Sequence, residues 1–492
     1  MDMMNGAAVW VALAVVFVAA VITKIARANP PSSSKLPPPP VVGTSTIGLV
    51  RAVLTKGIRG MLEEQYTKLG SVFTIHFLGM KTTFLIGPEA SAHFYQGLEP
   101  NVSNANFQFT VPMFGKSVMM GVDAATRAEQ HRFYVDALKS SNLKRHVGPM
   151  QQEVEKFFAR WGEQGTVDLK KELKQLFVLI SARCLLGQEV RDTMFEEVSS
   201  TFRELVDNGF HFSCVMFPYA PTPWTRARDR AHVKLYKIFS DIIKARRSSN
   251  RVVDDVLQNI MDSKYKNGRP TTEEEVTGLV LTVLLAAHHT SSNSTTWTAA
   301  CLLNHPRWME AVIQEQQQII HKYGDSLDFD ALLEMGVLQR CIKEALRVHP
   351  PISMLFRTVN KSLAVRTKEG SEYEIPSGYT LASPLVMNSY LPHIYKDADV
   401  YDPDRFGPER MEDKAGGKFS YISFSGGRHA CAGEAYAYLQ AKVMWSHLLR
   451  NFDMKLVSPY PKTNWRDITM EPIGPVTVSY KRRQLPKAVM EN

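Results

Sequence analysis

The spacing of hydrophobic and polar positions divides this chain into a long helical part and a shorter part rich in strands and turns. Residues 59–69 read as a helix. Ser71–Leu78 and Thr82–Ile86 read as two strands around Gly79, and Pro88–Gln96 as a helix. From about Thr126 to Cys301 the pattern is mostly helical. Asn267-Gly268-Arg269-Pro270 closes one stretch. Thr271 or Thr272, with Glu274 or Glu275, then makes a capping box for a long helix over about 272–303. Helices continue over 306–322 and 335–348. Beyond Pro350 come short strands and loops, with turn signals at Gly370, Pro376-Ser377-Gly378 and Pro403. Leu439, Val443, Leu448 and Leu449 then restore a helical period. No repeat appears. Many helices with a minor set of short strands predict a mainly α fold with minor β, of α+β class.

Composition adds limits. At 492 residues, a prior of ~150 residues per domain suggests three domains. Nothing marks an internal linker after residue 42, so one large domain over 43–492 is the expectation. Hydrophobic residues make up 44% of the chain, enough for a sizeable core. The five cysteines are scattered and form no C-x-x-C pair, which argues for a reducing compartment. Gly6 to Ile22 is an apolar run at the short end of a membrane span. Asp2 precedes it; Lys24, Arg27 and Lys35 follow, a bias that places the bulk of the chain on the cytoplasmic side. A cleaved signal peptide is the rival reading, and Ala26-Arg27-Ala28 is a poor cleavage site for it. Pro30-Pro31-Ser32-Ser33-Ser34 and Pro37 to Pro40 make a stiff linker. The expected organisation is therefore an anchor at 1–28, a Pro-rich linker at 29–42 and the main domain. The net charge of +9 is spread, with no basic tract interleaved with aromatics. It reads as a solvated surface biased toward anionic lipid and an acidic partner, and it speaks against nucleic acid.

The chemistry concentrates in Phe424-Ser425-Gly426-Gly427-Arg428-His429-Ala430-Cys431-Ala432-Gly433. One cysteine sits in a glycine-flanked loop ahead of a helix that Glu434 opens. A thiolate at a helix N-terminus is stabilised by free N–H groups and the positive end of the dipole. No second Cys or His stands at zinc-ligand spacing. Phe424-x-x-Gly427 ahead of Cys431-x-Gly433 resembles the haem-ligand loop of the haem-thiolate monooxygenases, the cytochrome P-450 family. The resemblance implies that family's fold, with one N-terminal transmembrane helix, and Cys431 as the axial ligand of a haem b iron. It also implies dioxygen as oxidant, with electrons from NADPH through a separate flavin-containing reductase. The chain itself has no Gly-rich dinucleotide fingerprint. An endoplasmic reticulum location, single-pass with the catalytic domain cytoplasmic, follows from the same resemblance. Lys414, Lys418 and Arg428 are a candidate docking face.

Other motifs gain meaning from this one. Glu344-Ala345-Leu346-Arg347 puts acid and base on one helix face. Asp402-Pro403-Asp404-Arg405-Phe406 resembles the family's second arginine motif. By resemblance Glu344, Arg347 and Arg405 form a buried structural ion network behind the haem. Within the long helix, Thr290 is the candidate donor for oxygen activation and His289 its proton relay. The bland reading is a threonine bonded back to its own helix. Most of the family has an acid before the threonine; histidine there is characteristic of the sterol 14α-demethylases. His288 reads as a plain helix-face residue. Resemblance also gives Arg132, Arg357 and His429 as haem-propionate contacts.

Phe107-Gln108-Phe109-Thr110-Val111-Pro112-Met113-Phe114-Gly115 looks like the roof of the sterol pocket. Phe107, Phe109, Met113, Phe114, Met120, Leu284, Ala287, Met354, Leu355 and Ile473 are the expected apolar lining. The departures cluster there. Phe107 stands where a tyrosine is usual, which removes a propionate hydrogen bond worth roughly 1 kcal/mol. Met120 and Gly121 replace an aromatic and an aspartate, Ala287 replaces a glycine, and Ser425 replaces a glycine in the cysteine loop. The chain thus resembles most the diverged plant group that oxidises defence triterpenes. The expectation is a monooxygenase that hydroxylates or epoxidises a pentacyclic, β-amyrin-like triterpene. The alternative is sterol 14α-demethylation of obtusifoliol in plant sterol biosynthesis. A haem protein that binds a sterol without turnover would need a disabled oxygen site, yet Thr290 and Cys431 are both present.

Overall fold

A computed structural model of the chain describes residues 36–483 and 485, apart from 78, 99–100, 106, 250–252 and 465–468. The expected anchor at 1–28 and the linker residues 29–35 lie outside the described residues. Among the described residues no helix is long and apolar enough to cross a membrane. The chain forms two compact units. One comprises the described residues of Met1–Ala105 with Met354–Asn388 and Gly416–Ser420; the other comprises Asn106–Ser353, Ser389–Ala415 and Tyr421–Asn492.

The first unit is built on a five-stranded sheet. Val72–Phe77 and Met80–Leu85 form a hairpin that turns at Gly79, whose φ of 79° suits glycine. Met80–Leu85 runs parallel to Thr380–Pro384, which pairs antiparallel with Met354–Val359; Val102–Asn104 closes the other edge. The hairpin ends lie within two residues of the expected strands. Phe73 and Phe84 stack across it at 5.4 Å. The helix expected over 59–69 starts earlier, at Thr46, where Ser45 caps it. Gly57 (φ 71°) breaks it in the middle, and that break hid the first half from a periodicity search.

The second unit holds most of the helices, packed around the long helix Glu273–Asn304. Its start is the capping box that the sequence implies. The Glu275 N–H donates to Thr272 Oγ1 at 3.2 Å, and the Thr272 N–H donates to Glu275 Oε2 at 2.8 Å. Helices Pro306–Tyr323 and Gly336–Val348 follow the expected spans closely, and Glu434–Asn451 starts at the expected Glu434. The stretch expected to be mostly helical contains one strand, Gln164–Asp168. It pairs antiparallel with Thr477–Arg482, which in turn pairs with Phe452–Leu456. Five residues with a glycine and polar ends leave no alternation to detect.

The roof segment rests directly on the long helix. A Cβ on Gly278 would lie 2.3 Å from the Phe114 carbonyl oxygen and 2.6 Å from Val118. Gly278→Ala must therefore push the segment away. The expected loss is about 1–3 kcal/mol in urea unfolding, as for other overpacked sites; an unchanged midpoint would show that the segment is not seated there.

Candidate functional site

The cysteine loop is a closed backbone ring. The Cys431 N–H donates to the Phe424 carbonyl at 2.9 Å, which ties the two ends together. Between them Ser425 and Gly427 both take φ of 64°. Glycine adopts that conformation freely, whereas for serine it costs roughly 1–2 kcal/mol. The loop is hung from the helix Gly336–Val348: Ser423 Oγ donates to the Leu346 carbonyl at 3.2 Å, and Tyr421 Oη to the Lys343 carbonyl at 3.2 Å. Phe424 lies 5.3 Å from the Tyr438 ring on the following helix.

The helix Gly336–Val348 also carries Glu344 and Arg347, both fully buried. Arg347 makes a two-pronged pair with Glu344 at 2.7 and 2.8 Å, and Arg405 reaches Glu344 from the other side at 2.9 Å. Arg405 also pairs with Glu412 at 2.8 Å and donates to the carbonyls of Lys396, Asp397 and Val400. Arg347 donates to the Ser389 carbonyl at 2.7 Å. Two acids and two bases thus balance in charge, and the guanidinium donors pin the backbone from 389 to 400. Glu412 was not singled out from sequence, because nothing at seven residues beyond Arg405 marks it.

Cys431 is the exposed member of the five cysteines; the other four are buried. It stands in the wall of an open cavity of about 780 Å³ with Gly427, Arg428, His131, Glu434 and Lys442. Protein still crowds the sulfur. Burial pushes the Cys431 thiol up, the Gly433 N–H pulls it down, and Glu434 pushes it up further. Among the described residues no group of three or more His, Cys, Asp or Glu could hold a metal ion. A metal on this lone sulfur must bring its other ligands with it, as a haem does. The donor set fits a haem iron.

The structure distributes the remaining candidates unevenly. His131, not Arg132, lines the Cys431 cavity. Arg132 is half-exposed and donates to the Lys264 carbonyl at 2.9 Å. Neighbours on a helix point about 100° apart, so only one of the two can face the cavity. Arg357 is buried in the first unit, on the strand with Met354 and Leu355, its guanidinium 4.8 Å from the Phe94 ring. The His429 side chain lies outside the described residues. Thr290 Oγ1 donates to the Ala286 carbonyl at 2.6 Å, the back-bonded arrangement rather than one turned toward a ligand. His289 and Leu284 line a separate cavity of about 170 Å³ with Ser181, Asp207 and Lys174. Burial lowers the His289 pKa, and Lys174 lowers it further. His288 lines the same cavity and is no plain surface residue: burial drives it down to about 3, and its Nε2 has no hydrogen-bond partner.

Of the expected wall, Met113 and Phe114 are fully buried and Leu284 nearly so. Met120 and Ala287 are half-buried. Phe107 is 43% exposed, 6.0 Å from Phe109, and Ile473 is 58% exposed, against the expectation of two apolar wall residues. Ile473 sits in a two-residue strand paired with Lys462–Thr463, which spends its backbone on the ladder and leaves the side chain outward. At Gly121 a Cβ would lie 2.2 Å from the Lys116 carbonyl oxygen, so this backbone has no room for a side chain there.

Comparison with known proteins gives a consistent picture. The Cytochrome P450 family model matches residues 37–478. Obtusifoliol 14-alpha demethylase of Sorghum bicolor is 49% identical over 452 residues, 91% of each chain. Sterol 14-demethylase of Arabidopsis thaliana is 48% identical over 460 residues, 92% of each chain. Lanosterol 14-alpha demethylase of Bos taurus is 34% identical, covering 92% of this chain and 89% of that one. The solved structure of retinoic acid-bound cyanobacterial CYP120A1 superposes with a TM-score of 0.79 at 21% identity, over 92% of this chain and all of that one, a likeness of fold.

Two measurements test the frame. Arg405→Leu leaves Glu344 with Arg347 alone and Glu412 with Arg410 alone; the expected cost is about 3–5 kcal/mol in urea unfolding, with loss of the thiolate-haem spectrum. A variant that kept both would make the cluster dispensable. Lys442 donates to the Leu332 carbonyl and Gln339 Oε1, both at 2.8 Å, and burial pushes its ammonium down to about 8 from 10.5. Between those values the unfolded chain holds the extra proton, so this group makes stability rise with pH by up to about 3 kcal/mol. Lys442→Met should flatten that rise between pH 8 and 10.5.

Proposed function

We propose that this chain, which belongs to the cytochrome P450 family and to its sterol 14α-demethylase group, removes the 14α-methyl group of an obtusifoliol-class sterol. It is an oxidoreductase, a monooxygenase that uses haem bound through a cysteine thiolate, dioxygen and NADPH-derived electrons. The observation that carries the substrate is near-half identity, along nine-tenths of both chains, to plant obtusifoliol and sterol 14-demethylases. This reverses the order expected from sequence, which put a triterpene first and obtusifoliol second. The triterpene reading keeps one specific support: Gly121, where the backbone excludes the family's aspartate, beside a Phe107 without a hydroxyl. An endoplasmic reticulum membrane location through residues 1–28, and a flavin-containing NADPH–cytochrome P-450 reductase as electron donor, belong to the same proposal.

Haem bound at Cys431 supplies an oxidant able to attack an unactivated C–H bond. The chain's own residues set its conditions. Cys431 gives the sulfur ligand, steadied by the Gly433 N–H. Met113, Phe114 and Leu284 keep water from the apolar interior. Thr290 must release the Ala286 carbonyl before its hydroxyl can donate to a ligand. Ala286 is exposed, so water takes over that carbonyl at little cost. His289 is neutral at physiological pH, with Asp207 beside the same cavity, and can accept and pass a proton.

The test is turnover of the full chain with a plant reductase, offered obtusifoliol and β-amyrin separately, with product masses read. Loss of the 14α-methyl carbon from obtusifoliol, with β-amyrin unchanged, is expected. Oxygen added to β-amyrin with the sterol untouched would replace this reading with the triterpene one.

A further inference from the structure

On the second unit, beside the Glu344–Arg347 pair, four oxidisable or basic side chains form one connected unit. The Trp297 indole is fully buried and lies parallel to the His349 ring, centroids 3.6 Å apart and planes 9° from parallel. His349 Nε2 is 2.9 Å from the Tyr460 hydroxyl, and its Nδ1 is 3.0 Å from Thr463 Oγ1. The Cys301 sulfur is 3.4 Å from the same Tyr460 hydroxyl. Tyr460 is 36% exposed, and its ring centroid is 6.3 Å from that of Trp297. Trp297 stands on the long helix seven residues after Thr290, about 10 Å along the axis.

We propose that Trp297, His349, Tyr460 and Cys301 form a proton-coupled redox relay that leads an oxidising equivalent from the interior beside the long helix to the protein surface.

Its direction follows from where a proton can go. Burial pushes His349 down to about 3 and Cys301 up to about 12, so both are neutral. The relay uses the neutral tautomer in which Nδ1–H donates to Thr463 and Nε2 accepts from Tyr460. The Cys301 thiol then donates to the Tyr460 oxygen. Trp297 Nε1–H donates to the Met470 carbonyl at 2.8 Å, which is not a base. An indole that loses an electron here keeps its proton and remains strongly oxidising. A phenol that loses an electron becomes a strong acid, and Tyr460 has a base in hydrogen-bond contact to take its proton. The relay runs from Trp297 to Tyr460, from the buried ring to the exposed one, because the phenol has an acceptor for its proton and the indole has none.

The balance closes. The oxidant is the oxidising equivalent left on the haem when dioxygen has been activated and no substrate C–H bond is in reach. Trp297 gives it one electron. Tyr460 refills Trp297 with one electron, and its phenolic proton moves to His349 Nε2. That leaves a neutral tyrosyl radical and an imidazolium. A dissolved reductant of the thiol or ascorbate class returns one electron to the exposed ring, and His349 returns the proton. Cys301 is the internal alternative: its S–H hydrogen atom restores the phenol and leaves a thiyl radical. Each passage transfers one electron from reductant to oxidant; the activated haem stands two equivalents above its resting ferric state, so two passages, with two protons from solvent, release its oxygen atom as water and spare the pocket.

The proposal rests on the family's haem chemistry and is tested by a signal independent of turnover. Substrate-free ferric holoenzyme is mixed with a peracid, frozen within milliseconds and read by electron paramagnetic resonance. A tyrosyl signal is expected in the native chain, with a coupling lost in heavy water from the proton held by His349. Tyr460→Phe should lower that signal at least tenfold and at least double the haem bleached per oxidant added, with the thiolate-haem spectrum unchanged beforehand. Cys301→Ala should lengthen the radical's life. No tyrosyl signal in the native chain overturns the relay, as does a signal that Tyr460→Phe leaves intact. If Tyr460→Phe does not take up haem, the heavy-water coupling and the Cys301→Ala lifetime decide, and absence of both overturns it. A native chain that releases demethylated sterol yet shows no radical loses the relay alone; a radical without sterol turnover leaves the relay and removes the substrate assignment.

Discussion

The carboxylate of Glu344 is the point on which the second unit depends. It is fully buried and receives both Arg347 and Arg405, as well as the Asp402 N–H at 3.0 Å. Burying four charges is costly, and the cost is offset only when every donor and acceptor is engaged. Here the guanidinium groups spend their remaining donors on backbone carbonyls from 389 to 400. The cluster thus converts an electrostatic requirement into a fixed course for a loop that has little secondary structure of its own. The cysteine loop hangs from the same helix by Ser423 and Tyr421. The position of one sulfur therefore follows from ion pairs that never touch it.

The reactive end of the molecule tolerates departures that the frame would not. Ser425 holds a left-handed backbone that glycine would take without strain, and the ring closed by the Cys431 N–H keeps it there. Strain of this kind persists where the surroundings over-determine the backbone. At the roof the opposite constraint operates. Gly121 and Gly278 are places where a backbone oxygen approaches so closely that a side chain is excluded.

Much of this was legible in the chain. The long helix, its capping box, the three helices at 306–323, 336–348 and 434–451 and the first hairpin come from periodicity and local caps, interactions among residues three or four apart. Glu344 and Arg347 were readable as neighbours on one face. Less legible were the strand Gln164–Asp168, held by a partner 300 residues away, and Glu412, which gains its role only by meeting Arg405 in space. His131 and Arg132 show the same limit: the motif names the helix, and the rotation of that helix chooses which of the two faces the cavity.

By itself, then, the sequence determined the class of fold, the candidate ligand sulfur of Cys431 and the acid–base pairs available to support its loop, since these are set by local spacing and by residue type. The tertiary structure alone decided which polar groups are desolvated together. It placed Thr290 on its own helix carbonyl, left His288 Nε2 without a hydrogen-bond partner, and stacked Trp297 on a histidine bonded to Tyr460. Burial and mutual orientation depend on segments that meet only after folding, and no periodicity along the chain records them.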